Sequence, residues 1–167
     1  MNLFSNAITI DFKTIENDIE KVKKDLAFRL NRDYYKKLRE WPYKDVQRKI
    51  ICEKYMKNHD NTDPLEYKAF CFNGIPEYIL VISGRFGKKE PTMDTYNMNW
   101  EHTDLINGGP LAGDIYPKPE FFDELCGLSK TLSADTPFLR VDFNYWNNQL
   151  YFGELTFYDS AGFENYK

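Results

Sequence analysis

The stretch RVDFNYWNNQLYFGELTF, residues 140–157, decides the fold class. Two runs rich in aromatic residues flank Asn147-Asn148, and this pattern predicts a β-hairpin. Each arm carries one carboxylate, Asp142 or Glu154, although strand interiors disfavour ionised side chains when a sheet face is covered. The sequence therefore raises the question of why each arm carries one carboxylate.

The turn decides whether the two carboxylates meet. Side chains alternate between faces along a strand, and opposed residue numbers in an antiparallel pair have a constant sum. Asp142 and Glu154 share a face only if that sum is even, which requires an odd number of loop residues or a bulge. A strict two-residue turn separates them. A three-residue loop with Asn148 left-handed, followed by a bulge, places Arg140, Asp142, Glu154 and Thr156 on one surface.

Two interpretations of this surface remain open. Carboxylates held on one face repel unless a cation lies between them, and hard oxygen ligands suit Mg²⁺, which completes its shell with water and substrate phosphates. Arg140 beside them would stabilise charge on a transferred phosphoryl group. The alternative is a surface hairpin with a cross-strand Arg140–Glu154 ion pair, worth at most about 1 kcal/mol.

Composition limits the class of protein. The 167 residues suffice for one domain with a core, and the net charge of −4 argues against non-specific nucleic-acid binding. The three cysteines lack C-x-x-C spacing, which is typical of a reducing compartment. There is no signal-peptide pattern, and the run YILVISG is too short to cross a bilayer. We expect a cytoplasmic protein with no nucleic-acid partner and no membrane span.

Hydrophobic periodicity predicts an α+β chain with an antiparallel sheet packed against helices. The N-terminal part is helical, with one helix over residues 13–31 and a second, polar stretch ending near Pro42. Residues 48–56 follow as a strand. Asn73-Gly74 then predicts a hairpin between EYKAFCF and IPEYILVIS, with Pro76 indicating a sheet edge.

The second half of the chain is expected to contain one more helix and the closing hairpin. Residues 84–117 show no sustained period and are interpreted as a long irregular loop. A helix opens at Lys118-Pro119 and ends near Asp135, and the last hairpin begins at Phe138. The predicted buried face of this helix consists of Phe121, Leu125, Leu128 and Leu132.

Five blocks of the sequence together resemble the TupA-like ATP-grasp family, which is linked to teichuronopeptide and other cell-surface polysaccharide biosynthesis. The blocks are EWPYK, IICEKYM, EYKAFCFNG, KPEFFDELCGLSKTLS and FLRVDFNYWNNQLYFGELTFYDSAGF. The likeness runs from about residue 13 to the end. It implies a single partial ATP-grasp domain over 1–167, with a helical segment at 12–45 and a nucleotide- and magnesium-binding α+β core at 46–167.

The resemblance implies ATP and Mg²⁺ as cofactors and gives roles by position. Asp142 and Glu154 would bind Mg²⁺ together with Thr156, which stands where ATP-grasp enzymes more often have Asn. Arg140 would contact the transferring phosphate, and Glu66 the ribose. The adenine-side hinge would consist of Glu53, Lys54, Tyr55 and Met56.

The resemblance also implies a reaction class, ATP-dependent ligation of a carboxylate to an amine. A carboxylate-bearing saccharide or an amino acid would be the substrate. One departure concerns the first twelve residues, which contain neither the phosphate-contacting Lys nor the Gly-rich lid of the family. The chain thus resembles the C-terminal portion of the fold, with the N-terminal part absent. It is expected to be a truncated product, a fragment, or half of a split enzyme whose partner chain supplies the lid. The alternative function is a non-catalytic remnant or a partner-binding module.

Overall fold

The computed structural model describes residues 12–33, 35–36, 39–41, 44–51, 56–59, 62–85, 90–105, 109–113 and 115–162. The chain divides into two compact units, Met1–Tyr55 and Met56–Lys167. Helices and sheet together confirm the predicted α+β class. None of the helices in the described ranges is both long and apolar enough to span a bilayer.

The first unit contains helix α1, Phe12–Leu30, within one residue of the predicted bounds at each end. An ion pair between Arg29 and Asp25 at 2.7 Å links successive turns of this helix. The second helical stretch is shorter than predicted, because Arg39 has a left-handed φ of 60° before Pro42 is reached. The strand predicted at 48–56 is wrong for residues 48–51, which have no regular structure, and residues 52–55 lie outside the described ranges.

The second unit is built on a five-stranded antiparallel sheet with the order β3-β2-β1-β4-β5. Its two hairpins lie where the sequence predicts them. The strands are β1 Leu65–Phe72, β2 Ile75–Ser83, β3 Thr92–Asn97, β4 Phe138–Trp146 and β5 Gln149–Thr156. Helix α2, Phe122–Leu132, lies between β3 and β4 in the chain, and a 3-10 helix, Asp159–Gly162, follows β5.

The first hairpin follows its turn signal, since Asn73 and Gly74 both have positive φ. The inference from Pro76 is wrong, because β2 is an interior strand between β1 and β3. Pro76 is tolerated there because pairing with β3 begins only at Tyr78, and a register shift at Phe70/Cys71 interrupts the ladder with β1.

Strand β3 was not predicted, since residues 84–117 were interpreted as irregular. Asp94 and Thr95 at its centre are buried polar residues, so its alternation of apolar and polar side chains is weak. Asp94 accepts a hydrogen bond from the backbone N–H of Ala112 at 3.0 Å, and His102 lies 3.1 Å from it. These contacts allow an acidic residue to be buried in an edge strand.

One face of the sheet packs against α2 and forms the larger hydrophobic core. The buried face of α2 is rotated from the predicted one, because the helix buries Phe122, Leu125 and Ser129 while Leu128 and Leu132 are exposed. The strand residues of this core are Tyr67, Ala69, Cys71, Ile79, Val81, Tyr96, Leu139, Val141 and Phe143. The opposite face carries the charged side chains described next.

Candidate functional site

Polar side chains cover the second face of the sheet where β1, β4 and β5 lie side by side. Lys68, Asp142 and Glu154 are register partners in one row across these strands. Arg140 and Thr156 are partners in the next row. The strand register therefore brings together the residues that were predicted to bind the metal ion and the transferring phosphate.

A bulge, rather than the turn, aligns Asp142 with Glu154. The turn is a two-residue one with φ of 48° at Asn147 and 60° at Asn148, so of the two turn geometries considered above the three-residue loop is absent here. Phe143 pairs with Phe152 and Asp142 with Glu154, which leaves Gly153 as the extra residue of β5. This extra residue makes the sum of the opposed residue numbers even at Asp142 and Glu154, so the two carboxylates share a face.

Arg140 is the centre of the polar cluster. It is 5% exposed, and its Nε and Nη2 donate to the two oxygens of Asp142 at 2.7 and 2.9 Å. Nη2 also donates to Glu154 Oε1 at 3.1 Å and to Thr156 Oγ1 at 3.0 Å, and Nη1 donates to Asp159. Burial disfavours its charge, but Asp142, Asp159 and Glu154 outweigh burial and raise the Arg140 pKa. The guanidinium is therefore permanently charged and fixed in orientation.

Asp142 is held between two cations. Besides Arg140, the ammonium of Lys68 donates to Asp142 Oδ2. Burial opposes ionisation of this carboxyl, but Lys68 and Arg140 together outweigh it and hold the Asp142 pKa below its ordinary value. The carboxylate is thus ionised at neutral pH although its residue is only 6% exposed.

Glu154 and Thr156 complete the site at the edge of the sheet. The Glu154 side chain is 45% exposed, and its Oε1 accepts hydrogen bonds from Arg140 and from Thr156 Oγ1, both at 3.1 Å. Thr156 is buried, so its hydroxyl positions Glu154 and Arg140 relative to one another. Of the two predicted metal-binding carboxylates, Glu154 is the one that faces solvent.

Glu66 extends the cluster along β1. Its carboxylate pairs with Arg85 and lies 4.0 Å from the Lys68 ammonium. The Arg85 side chain is mostly buried against Glu66. Because Glu66, Lys68 and Phe70 alternate along one strand face, the predicted ribose-contacting residue and the phosphate end of the site share one surface.

An apolar cavity of about 650 Å³ lies on the same face, beyond Arg140. Its size is within the usual range for small-molecule sites. Asp159, which pairs with Arg140, belongs to its lining, so the cavity borders the charged cluster. The remaining lining is mainly aromatic and consists of Phe70, Phe72, Tyr78, Phe138, Phe157 and Tyr158, with Thr95, Leu105 and Gly162.

The family model described as TupA-like ATPgrasp matches residues 5–167. The chain belongs to the TupA-like ATP-grasp family. The five-stranded antiparallel sheet with its helices is consistent with an ATP-grasp-like fold. Comparisons with curated proteins and with solved structures gave no match.

ATP-grasp proteins generally use ATP and Mg²⁺, and the donor chemistry of this site fits a magnesium ion. Asp142 and Glu154 present carboxylate oxygens, the donor type that Mg²⁺ prefers, at opposed positions of two strands. Within the described ranges no group of three or more His, Cys, Asp or Glu side chains could hold an ion.

The predicted adenine-side hinge falls mostly outside the described residues, since Glu53, Lys54 and Tyr55 are not among them. Met56 is half-buried. The residues just after it contact the tip of the closing hairpin. Trp146 Nε1 donates to the Lys57 carbonyl, and the Asn147 N–H donates to Asn58 Oδ1 at 3.4 Å.

Sequence reasoning missed Lys68, Arg85 and Asp159 as members of the cluster. Lys68 carried a usable signal, because it is a charged residue inside the apolar run EYKAFCF, the same anomaly that identified Asp142. Asp159 lies in the 3-10 helix after β5, where no periodicity predicts which way a side chain points.

Proposed function

We propose that this TupA-like ATP-grasp chain is an ATP- and Mg²⁺-dependent carboxylate–amine ligase, or part of one, that acts in cell-surface polysaccharide biosynthesis. The observation that carries the proposal is Arg140, fixed by five hydrogen bonds beside two carboxylates on one sheet face. A buried, oriented guanidinium next to hard oxygen ligands is what phosphoryl transfer requires. We place the reaction in the cytoplasm.

In the proposed reaction a substrate carboxylate attacks the γ-phosphate of ATP, which gives an acyl phosphate and ADP. An amine then attacks the acyl carbon, the C–O bond to phosphate breaks, and an amide and inorganic phosphate result. Arg140 would bind the transferring phosphoryl group and stabilise its charge. Asp142 and Glu154 would hold Mg²⁺, which neutralises phosphate charge when bound. Thr156 would position Glu154, and its role as a third ligand stays a prediction.

The nucleotide would lie along the strand face from the hinge towards Arg140. The backbone at Glu53–Met56 would read the adenine edge and Glu66 would contact the ribose. The aromatic cavity extends away from Glu66 along the strands, because Phe70 lies opposite Arg140 and Phe72 and Phe138 form the next row beyond it. It is therefore the place for the carboxylate substrate, a saccharide or an amino acid, with its carboxylate towards Arg140.

The proposal is tested by calorimetric titration with a non-hydrolysable ATP analogue, with and without Mg²⁺. Wild type, Asp142→Asn and the control Glu77→Gln are compared, since Glu77 is an exposed carboxylate of the same sheet outside the cluster. We expect Mg²⁺-dependent binding to wild type and the control, and none to Asp142→Asn. No binding to wild type at millimolar nucleotide contradicts the enzyme hypothesis for this chain alone.

A second candidate function is a non-catalytic module that keeps the fold. It is favoured by one observation, that both oxygens of Asp142 are already bonded by Arg140 and Lys68. A carboxylate neutralised by the protein itself can be structural. Equal nucleotide affinity with and without Mg²⁺ would favour this function. Co-purification would search for a partner chain that supplies a lid, and such a partner would instead favour half of a split enzyme.

A further inference from the structure

Lys68 is a buried lysine inside the site and has no role in the mechanism above. It is 8% exposed, and its ammonium donates to Asp142 Oδ2 from the neighbouring strand. Lysine is almost never buried without a partner of opposite charge. Asp142 is thus the residue that holds this ammonium in the site.

Arg140 and Lys68 hold Asp142 in different ways. Arg140 forms a two-point contact with the carboxylate and is also bonded to Glu154, Thr156 and Asp159. Lys68 makes one point contact from a flexible four-carbon stem. A cation that competes for Asp142 would therefore displace Lys68 before it displaces Arg140.

A second acceptor lies within reach of the displaced ammonium. Glu66 Oε2 is 4.0 Å from Lys68 Nζ, on the same strand face two residues earlier. A rotation of the lysine stem is enough to exchange Asp142 for Glu66. The ammonium then keeps a carboxylate partner throughout, so the exchange leaves no buried charge uncompensated.

We propose that Lys68 holds the position at Asp142 that a divalent metal ion takes, and that metal binding moves its ammonium to Glu66. Lys68 is then a positioning residue that keeps Asp142 directed at the site before the ion arrives. The inference rests on the proposed function only in taking Asp142 as a metal ligand. It needs no nucleotide, so it can be tested apart from ATP binding.

The test is titration of the full chain with Mn²⁺ alone, followed by calorimetry or electron paramagnetic resonance. Wild type is compared with Lys68→Met, Lys68→Arg and the control Lys130→Met, which removes an exposed lysine of α2. Because a competing charge is removed, Lys68→Met should bind Mn²⁺ about tenfold more tightly than wild type. Lys130→Met should resemble wild type, and Lys68→Arg should bind Mn²⁺ no more tightly than wild type, because it keeps the competing charge.

A purely structural lysine predicts the opposite sign, since its loss would free Asp142 to move and weaken Mn²⁺ binding. Unchanged or lower affinity of Lys68→Met, or no Mn²⁺ binding by either protein, overturns the inference. The proposed function is overturned separately, by the absence of Mg²⁺-dependent nucleotide binding to wild type.

A measurement on wild type covers the case in which Lys68→Met does not fold. In protein labelled with ¹⁵N-lysine, the Lys68 side-chain resonance is assigned with Lys68→Arg and followed during a Mg²⁺ titration. We expect it to shift with the midpoint of metal binding. A Lys68 resonance that stays in place at saturating Mg²⁺ overturns the exchange.

Discussion

Gly153 lies against the backbone of Asp142, so that a Cβ at Gly153 would be 3.0 Å from the Asp142 carbonyl oxygen. Gly153 is also the extra residue that brings Glu154 opposite Asp142. The glycine therefore permits the bulge, and the bulge aligns the two carboxylates. A backbone oxygen in a paired strand cannot move aside as a flexible side chain can.

The first prediction concerns this glycine. Gly153→Ala should lower the free energy of unfolding by about 1–2 kcal/mol, because the added methyl group crowds a main-chain oxygen. It should also weaken Mg²⁺-dependent nucleotide binding. Urea unfolding and calorimetry provide the measurements. Gly127→Ala on α2 is the matched control, since nothing lies within 4 Å of its Cβ position. That change should stabilise the helix by up to about 1 kcal/mol.

The second prediction concerns Arg140. Arg140→Met should destabilise the second unit by about 3–5 kcal/mol, because the mostly buried carboxylates of Asp142 and Asp159 would lose the guanidinium that balances their charge. The free energy of unfolding of Arg140→Lys should lie between those of wild type and Arg140→Met, because lysine keeps the charge but loses the two-point contact. The control Arg29→Met breaks only an exposed helix pair and should cost at most about 1 kcal/mol. Equal effects of Arg140→Met and Arg29→Met in chemical denaturation would contradict the cluster's energetic role.

The third prediction concerns acid stability. Because the pKa of Asp142 is lower in the folded chain than in the unfolded one, its contribution to stability is present above the unfolded pKa of about 4. It is lost as the pH falls through the folded pKa. Urea midpoints should therefore decrease more steeply below about pH 4 in wild type than in Asp142→Asn. Parallel curves for the two proteins would show that Asp142 has no depressed pKa.

The fourth prediction concerns the cavity. Phe157→Ala should raise the KM for the proposed carboxylate substrate and leave nucleotide affinity unchanged, because Phe157 lines the cavity and lies outside the charged rows of the sheet. Its ring is 44% exposed, so the cost in stability should be small. The assay is phosphate release with a panel of uronic acids and amino acids. Phe152→Ala removes a similarly exposed ring outside the cavity lining and should change neither quantity. Equal KM changes in both variants would place the substrate elsewhere.

Local signals predicted the hairpins well and the register poorly. Asn73-Gly74 and Asn147-Asn148 identified both turns, since few residue pairs accept two left-handed conformations. Periodicity could not locate the bulge, because a glycine in a strand leaves open where the ladder shifts. The buried face of α2 was misassigned since Phe121 and Phe122 are both apolar and only packing selects between them.

The part of the candidate site that lies on one pair of strands could be predicted from the sequence. The part that needs a third strand could not. Asp142, Glu154 and Arg140 belong to one hairpin, so alternation and a parity argument gave the condition under which they share a face, although not the bulge that meets it. Lys68 enters only because β1 pairs with β4 across 74 residues of sequence. Strand order between distant segments is set by the packing of the whole sheet, which a local pattern does not encode.

The contact with residues 57–58 fixes the tip of the closing hairpin. The length of the hairpin arm then sets the distance from this tip to the carboxylates. One end is fixed at Trp146 and Asn147, and Asp142 lies four residues before Trp146 on the same arm. At about 3.3 Å per residue this sets a fixed span of roughly 13 Å. Lengthening both arms by two residues would keep every side chain on its face but move the carboxylates one pleat away from the tip. In the proposed function, the length of the hairpin would therefore set how long a phosphate chain can reach from the base to the metal.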